Sequence, residues 1–221
     1  MFLAIDTATR APSLALYDGE RVVAEETWRS ANGHTVELMP SIVRMLERQR
    51  FPPSQLQGIA VALGPGSFTG LRIGLSVAKG LALTLAIPLV GIPTLDALVY
   101  AQARKRGPVC AVLQAGRGRI CAGFYRRRRG QWQRQGDYLL TTVEELCASI
   151  EAPTFLCGEI DAKAAELLRE RLGEKAKLAS PAACLRRAGY LAELGWQRLQ
   201  RGDVDDPASL SPIYLSHPLL K

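Results

Sequence analysis

The sequence predicts an α/β fold of two related domains. Apolar runs of strand length alternate with helical periodicity. The order strand, strand, strand, helix, strand, helix, strand, helix fills the first hundred residues and returns more loosely in the rest of the 221. The halves share no visible residue-level repeat, so the duplication is one of pattern.

Phe2 to Asp6, Ser13 to Tyr17 and Arg21 to Trp28 read as strands, with Asp18-Gly19 as a hairpin signal between the second and third. A helix from His34 to Arg50 follows, with Ser30 or Asn32 as its cap and Pro52-Pro53 as its stop. Val36, Met39, Ile42, Val43 and Leu46 make one apolar face of it. Leu38 and Met45 lean onto another, giving a wider apolar surface than one core contact requires. Gly58 to Leu63 is a buried-strand run that enters the tight loop Gly64 to Gly70 and a second helix, Thr69 to Leu85. Gly70, Gly74, Ala78 and Ala82 recur there every four residues, a stripe against which another backbone can lie. A helix this apolar needs cover nearly all round. Pro88 to Ile92 is a strand and Thr94 to Ala103 a helix.

In the second half, strands are expected at Val109 to Leu113, Ile120 to Tyr125, Gln131 to Leu139 and Thr154 to Cys157. Helices are expected at Thr142 to Ile150, at Ala162 to Leu172 behind an Asp161 cap, and at Ala182 to Arg201. The expected division is 1–103 for the first domain and 104–221 for a smaller, diverged second, whose last helix packs back on the first.

No apolar run approaches membrane-spanning length, since Leu71 to Val90 is broken by Lys79 and Pro88, and an acid at Asp6 precedes any signal-like segment. A cytoplasmic location without membrane contact is expected. The five cysteines form no CxxC pair and read as buried thiols, and His34 and His217 are too few for a His-rich metal site. Lys and Arg exceed Asp and Glu by seven, much of it in Arg104-Lys105-Arg106 and Arg126 to Arg129. Such clusters are solvated loops or nonspecific contacts to a phosphate backbone.

Two segments carry chemical options. Asp6-Thr7-Ala8-Thr9 can hold magnesium and phosphate, or can close a turn through its own side chains. The loop Gly64 to Gly70 can present amides to an anion, or serve a sharp strand-to-helix turn. It is neither a dinucleotide fingerprint nor a P-loop. No GxSxG nucleophile motif is present, and His34 reads as a helix-start or interface residue.

The run Gly64-Pro65-Gly66-Ser67-Phe68-Thr69-Gly70-Leu71-Arg72-Ile73-Gly74 resembles the signature of the TsaB (YeaZ) family, as do Leu3 to Ala8 and His34 to Pro40. The resemblance implies a duplicated actin-like/Hsp70-like (ASKHA, ribonuclease H-like) fold of two βββαβαβ-type domains. It implies a non-catalytic scaffold for the TsaD-type transferase that modifies adenosine 37 of tRNAs reading ANN codons, with tRNA met through the complex. A heterodimer with TsaD, docking of a TsaE-type ATPase, and a homodimer in isolation belong to the same expectation. The two metal-binding histidines of TsaD fall on Thr94 and Leu98. The second-domain turn Leu113 to Gly118 offers no carboxylate, so no catalytic residue, metal or cofactor is expected. Asp6, Thr7 and Gly66 are left as a relic phosphate site. Partner contacts are expected at His34, Thr35, Leu38, Met39, Ile42 and Met45 on the first helix, and at Thr69, Arg72, Ile73, Leu75 and Val77 on the second. The rival readings are a small-molecule kinase or ATPase using Asp6 and the Gly64 loop, and a tRNA-binding module using Arg126 to Arg129. A protease has neither a metal pair nor a nucleophile constellation to support it.

Overall fold

The computed structural model describes residues 1–30, 33–103 and 105–215; Asn32, Arg104 and His217, named above, lie outside the described residues. The first repeat runs β1 (Phe2–Asp6), β2 (Ser13–Tyr17), β3 (Val22–Thr27), α1 (His34–Arg48), β4 (Gly58–Gly64), α2 (Phe68–Leu85), β5 (Leu89–Pro93), α3 (Thr94–Tyr100). The second runs β6 (Val109–Gly116), β7 (Arg119–Arg128), β8 (Gln131–Thr141), α4 (Val143–Ala148), β9 (Thr154–Gly158), α5 (Ala162–Leu172), β10 (Ala176–Leu178), α6 (Ala188–Gln200). The sheets share one topology, β3-β2-β1-β4-β5 and β8-β7-β6-β9-β10. In each, three antiparallel strands are extended by two parallel ones.

The chain forms two compact units, Met1–Thr94 with Arg187–Ile213, and Leu95–Arg186 with Tyr214–Lys221. The junction lies at Thr94/Leu95 and not at 103/104, because Leu95, Leu98 and Val99 of α3 are core residues of the second unit. Each repeat thus gives its third helix to the other unit. Two other differences are local. β10 is three residues long, below what periodicity can signal. The last helix starts at Ala188, after a 3-10 turn at Pro181–Cys184.

In the first unit strand alternation sorts side chains by size. Leu3, Ile5, Leu14, Leu16, Ile59 and Val61 join Leu38, Ile42, Met45 and Leu46 of α1 and Leu75, Ala78 and Ala82 of α2 in one buried cluster. The alternate positions are mostly small, Ala4, Ala15, Gly58, Ala60 and Ala62, with Phe2 and Tyr17 as the large exceptions, and α6 lies close there. A Cβ at Gly195 would stand 2.7 Å from that of Ala60, and Trp196 meets Phe2 and Tyr17 edge-on with centroids 5.8 and 6.2 Å away. α2 corrects one expectation: its 18 residues are long and apolar enough, by length and composition, to span a membrane, with a mean hydropathy of 1.2. Its buried Gly70, Gly74, Ala78 and Ala82 are the stripe expected to meet another backbone.

In the second unit α4 and α5 pack on Cys110, Val112, Ile120, Ala122 and Leu156. The other sheet face holds Leu95, Leu98, Val99, Tyr125 and Cys157. All five cysteines are free, and burial pushes the Cys121 thiol up to about 11 and the Cys110 thiol up to about 12, which keeps both protonated. The Asp96 carboxylate accepts from the Tyr125 and Tyr138 hydroxyls at 2.6 and 2.9 Å, and the Arg134 guanidinium stacks on Tyr138.

Burial, then the Asp96 charge, push the Tyr138 phenol up to about 12. The folded state therefore holds this proton more tightly than the unfolded chain, whose tyrosine titrates near ~10. The stability linked to Tyr138 is fully present below that pH and is lost as pH rises toward 12. Thermal melts from pH 8 to 11.5 should show a steeper alkaline fall in Tm for the native chain than for Tyr138→Phe; parallel curves would remove the linkage.

Candidate functional site

The two segments singled out in the sequence meet in the first unit. Asp6 Oδ1 accepts from the Ala8 amide at 2.8 Å and Thr9 Oγ1 from Ala11 at 3.3 Å, so these side chains close their own turn. The Thr7 hydroxyl donates to the Gly70 carbonyl at 2.8 Å, and the Ser67 amide donates to the Ala8 carbonyl at 2.6 Å. Ser67 caps α2, its Oγ accepting from the Gly70 amide at 3.2 Å. Asp6, Thr7, Ala8 and Thr9 are all buried.

The fit leaves no room for a side chain on the loop. A Cβ at Gly66 would fall 2.4 Å from the Ala8 carbonyl oxygen, at Gly70 2.2 Å from that of Thr7, and at Gly74 2.1 Å from Thr7 Oγ1. The glycines serve the approach of protein to protein. Around Gly66, Gly70 and Gly74 the turn and the loop are packed backbone against backbone.

Thr94 and Leu98, on which the resemblance places the TsaD histidines, are committed within the chain. Thr94 is buried and its Oγ1 accepts from the Gly64 amide at 3.0 Å, while Leu98 is in the second core. The second-domain turn Leu113 to Gly118 carries no acid of its own. Glu159, just past β9, reaches the Gln114 amide at 3.1 Å, a contact 45 residues apart in sequence. Its other oxygen accepts from buried Arg186 at 2.9 Å, a charge-assisted pair. Among the described residues no three or more His, Cys, Asp or Glu side chains group together.

The expected partner residues separate into two sets. Leu38, Ile42, Met45 and Leu75 are buried in this chain's own core, and His34 is the first residue of α1, buried with its Nδ1 unpartnered. Met39, Thr35, Thr69 and Arg72 are exposed, and Ile73 and Val77 half-buried. The exposed apolar stripe of α1 is Val36, Met39 and Val43, at 62, 39 and 44 %. At 3.6 residues per turn it lies roughly 110° around the helix from the core stripe. Grouping Ile42 and Leu46 with these residues missed this offset, which the i, i+3, i+7 spacing contains. Beside it, Thr35, Phe68, Thr69, Arg72, Ile73, Ser76 and Val77 line an open groove of about 430 Å³. Phe68 is 54 % exposed, under the Arg72 guanidinium at 3.8 Å.

Two repeats of one topology define a duplicated actin-like α/β protein. At the level of fold alone, component A of (R)-2-hydroxyglutaryl-CoA dehydratase from Acidaminococcus fermentans superposes with a TM-score of 0.54 at 13% identity, over 90% of this chain and 98% of that one. Nearer likeness is found with YeaZ from Pseudomonas aeruginosa, TM-score 0.80 and 26% identity over 97% and 99% of the two chains. The tRNA threonylcarbamoyladenosine biosynthesis protein TsaB of Bacillus subtilis is 29% identical over 96% of this chain and 93% of its own length. Residues 22–188 match the family profile described as TsaD, tRNA N6-adenosine threonylcarbamoyltransferase. The chain belongs to that family and, by its relatives, to TsaB/YeaZ.

If Thr7 and Gly74 are in contact, Gly74→Ala should cost about 1–3 kcal/mol in urea unfolding. Adding Thr7→Ala should recover part of that loss, giving a coupling of about 0.5 kcal/mol or more. Additive effects would show that the two positions do not touch.

Proposed function

We propose that the chain is a cytoplasmic, non-catalytic subunit in the biosynthesis of N6-threonylcarbamoyladenosine in tRNA, where it docks on and supports a TsaD-type transferase. The observation that carries this reading is an exposed apolar stripe on α1 beside an open groove at the start of α2. The names of its full-length relatives supply the pathway. The docking surface is Val36, Met39 and Val43 of α1 with Thr35, Phe68, Thr69 and Arg72 around the groove, and Ile73 and Val77 at its floor. Buried apolar atoms there supply affinity at about 25 cal/mol per Å² before association costs, and Arg72 adds polar definition at the edge. His34, Leu38, Ile42, Met45 and Leu75 support the surface from beneath.

A TsaE-type ATPase joins the assembled complex, and without the transferase the same face pairs two copies of this chain about a two-fold axis. The relic site of Asp6, Thr7 and Gly66 contributes packing, and turnover resides in the partner. A kinase or ATPase would need that site open to nucleotide.

Reconstituted modification of tRNA by purified components should require this chain, and the chain alone should not hydrolyse ATP. Met39→Asp with Val43→Asp should weaken transferase binding about tenfold or more and depress modification in parallel. Because both residues are exposed, the urea midpoint should barely move. Unchanged co-purification with the transferase would discard this face, and ATP turnover by the isolated chain would discard the non-catalytic assignment.

A further inference from the structure

Residues 97–136 contain ten Lys and Arg and not one Asp or Glu, so the whole positive excess of seven lies in this stretch and the rest of the chain is slightly acidic. Six of those cations stand at two hairpin turns of the second sheet. Arg128 pairs with Gln131 across Arg129-Gly130, and Gly116 pairs with Arg119 across Arg117-Gly118. Both central residues of each turn are left-handed, with φ of 50° and 82° in the first and 54° and 72° in the second. The first position of such a turn suits Asn, Asp or Gly, and a long side chain there is disfavoured. Both turns break that local rule with the same residue, arginine. Such a violation points to a side chain kept for what it reaches, since backbone preference argues against it.

Arg126, Arg128 and Arg129 are exposed, and among the described residues none forms an ion pair. Arg126 and Arg128 are two apart on β7 and share a face with Gln133 and Gln131 across the ladder. Arg127 acts differently. Its Nε donates to the Gly130 carbonyl at 3.0 Å and its Nη1 to that of Ala103 at 2.5 Å, fastening the turn to the segment that carries Lys105 and Arg106. The tip is therefore a braced group of cations and amides.

We propose that the β7–β8 hairpin tip binds the phosphate backbone of tRNA. Guanidinium groups match phosphate oxygens bidentately, and the glutamine amides suit ribose hydroxyls. Trp132 packs against the core of the unit, so contact is to backbone and not to stacked bases. The choice of tRNA among polyanions rests on the function proposed above, whereas the binding itself is a property of this chain alone.

Anisotropy titrations of the purified chain with unmodified tRNA, from 50 to 200 mM salt, test it. The native chain should lose affinity steeply with salt. Arg126→Gln, Arg128→Gln and Arg129→Asn together should lower the slope of log K against log salt by roughly 2 to 3, and reduce low-salt affinity about tenfold or more. Arg129→Asn alone separates binding from folding. Asn fits the left-handed turn, so Tm should hold or rise while affinity falls. Equal affinity and slope for the triple variant and the native chain would overturn the proposal. So would a native chain that ignores tRNA yet binds anionic phospholipid vesicles. The Met39→Asp, Val43→Asp protein should keep native tRNA binding, so failure of the docking face and failure of the hairpin site are read separately.

Discussion

Thr7 stands between the Gly70 carbonyl and the space where a Gly74 side chain would be, and the arrangement of the first unit follows from that contact. To bring the N-terminus of α2 onto the β1–β2 turn, the helix must present Gly and Ala toward the sheet, which it does at positions 70, 74, 78 and 82. α1 then packs beside α2 with Leu38, Ile42 and Met45 inward. Its Val36–Met39–Val43 stripe is left outside. The seating of the turn on α2 and the exposed helix face are thus two results of one packing solution.

The same principle governs other polar groups of the chain. A catalytic carboxylate, hydroxyl or imidazole needs capacity left over for a ligand. Here that capacity is directed inward: Asp6 to its own turn, Thr94 to the Gly64 amide, and Glu159 to Gln114 and Arg186. Buried polar groups must be satisfied by something, and when no ligand is available to do it the backbone and a guanidinium are the nearest donors. The Glu159–Arg186 pair joins the end of β9 to the segment before α6, beside the Gly158 amide that donates to Cys184 Sγ at 3.4 Å.

Strand alternation and the glycine-alanine spacing were readable because both are local periodicities, and the strands and the first two helices lie within a few residues of where those periodicities place them. The face of α1 was less readable. Val36, Met39 and Val43 are as apolar as the core residues, and hydrophobicity alone does not say which of two stripes 110° apart meets the sheet. Nor could spacing reveal Thr7 on Gly70 or Glu159 on Gln114, which are 63 and 45 residues apart and are decided by topology. The junction of the units escaped for a related reason: α3 follows β5 directly, so nothing in composition marks where one core ends and the next begins.

A ligand-filled cleft couples the position of the helices beside it to occupancy, because binding energy shifts the balance between arrangements. In the first unit the β1–β2 turn is seated directly on the N-terminus of α2, with no room for a side chain between them. For a docking surface such seating is an advantage, since a face already in its bound geometry spends less of its contact energy on ordering. The glycines that exclude a side chain at Gly66, Gly70 and Gly74 would therefore serve the proposed partner indirectly. They keep the turn seated, the turn keeps α2 in place, and α2 fixes the exposed stripe of α1 in the orientation in which a second protein would meet it.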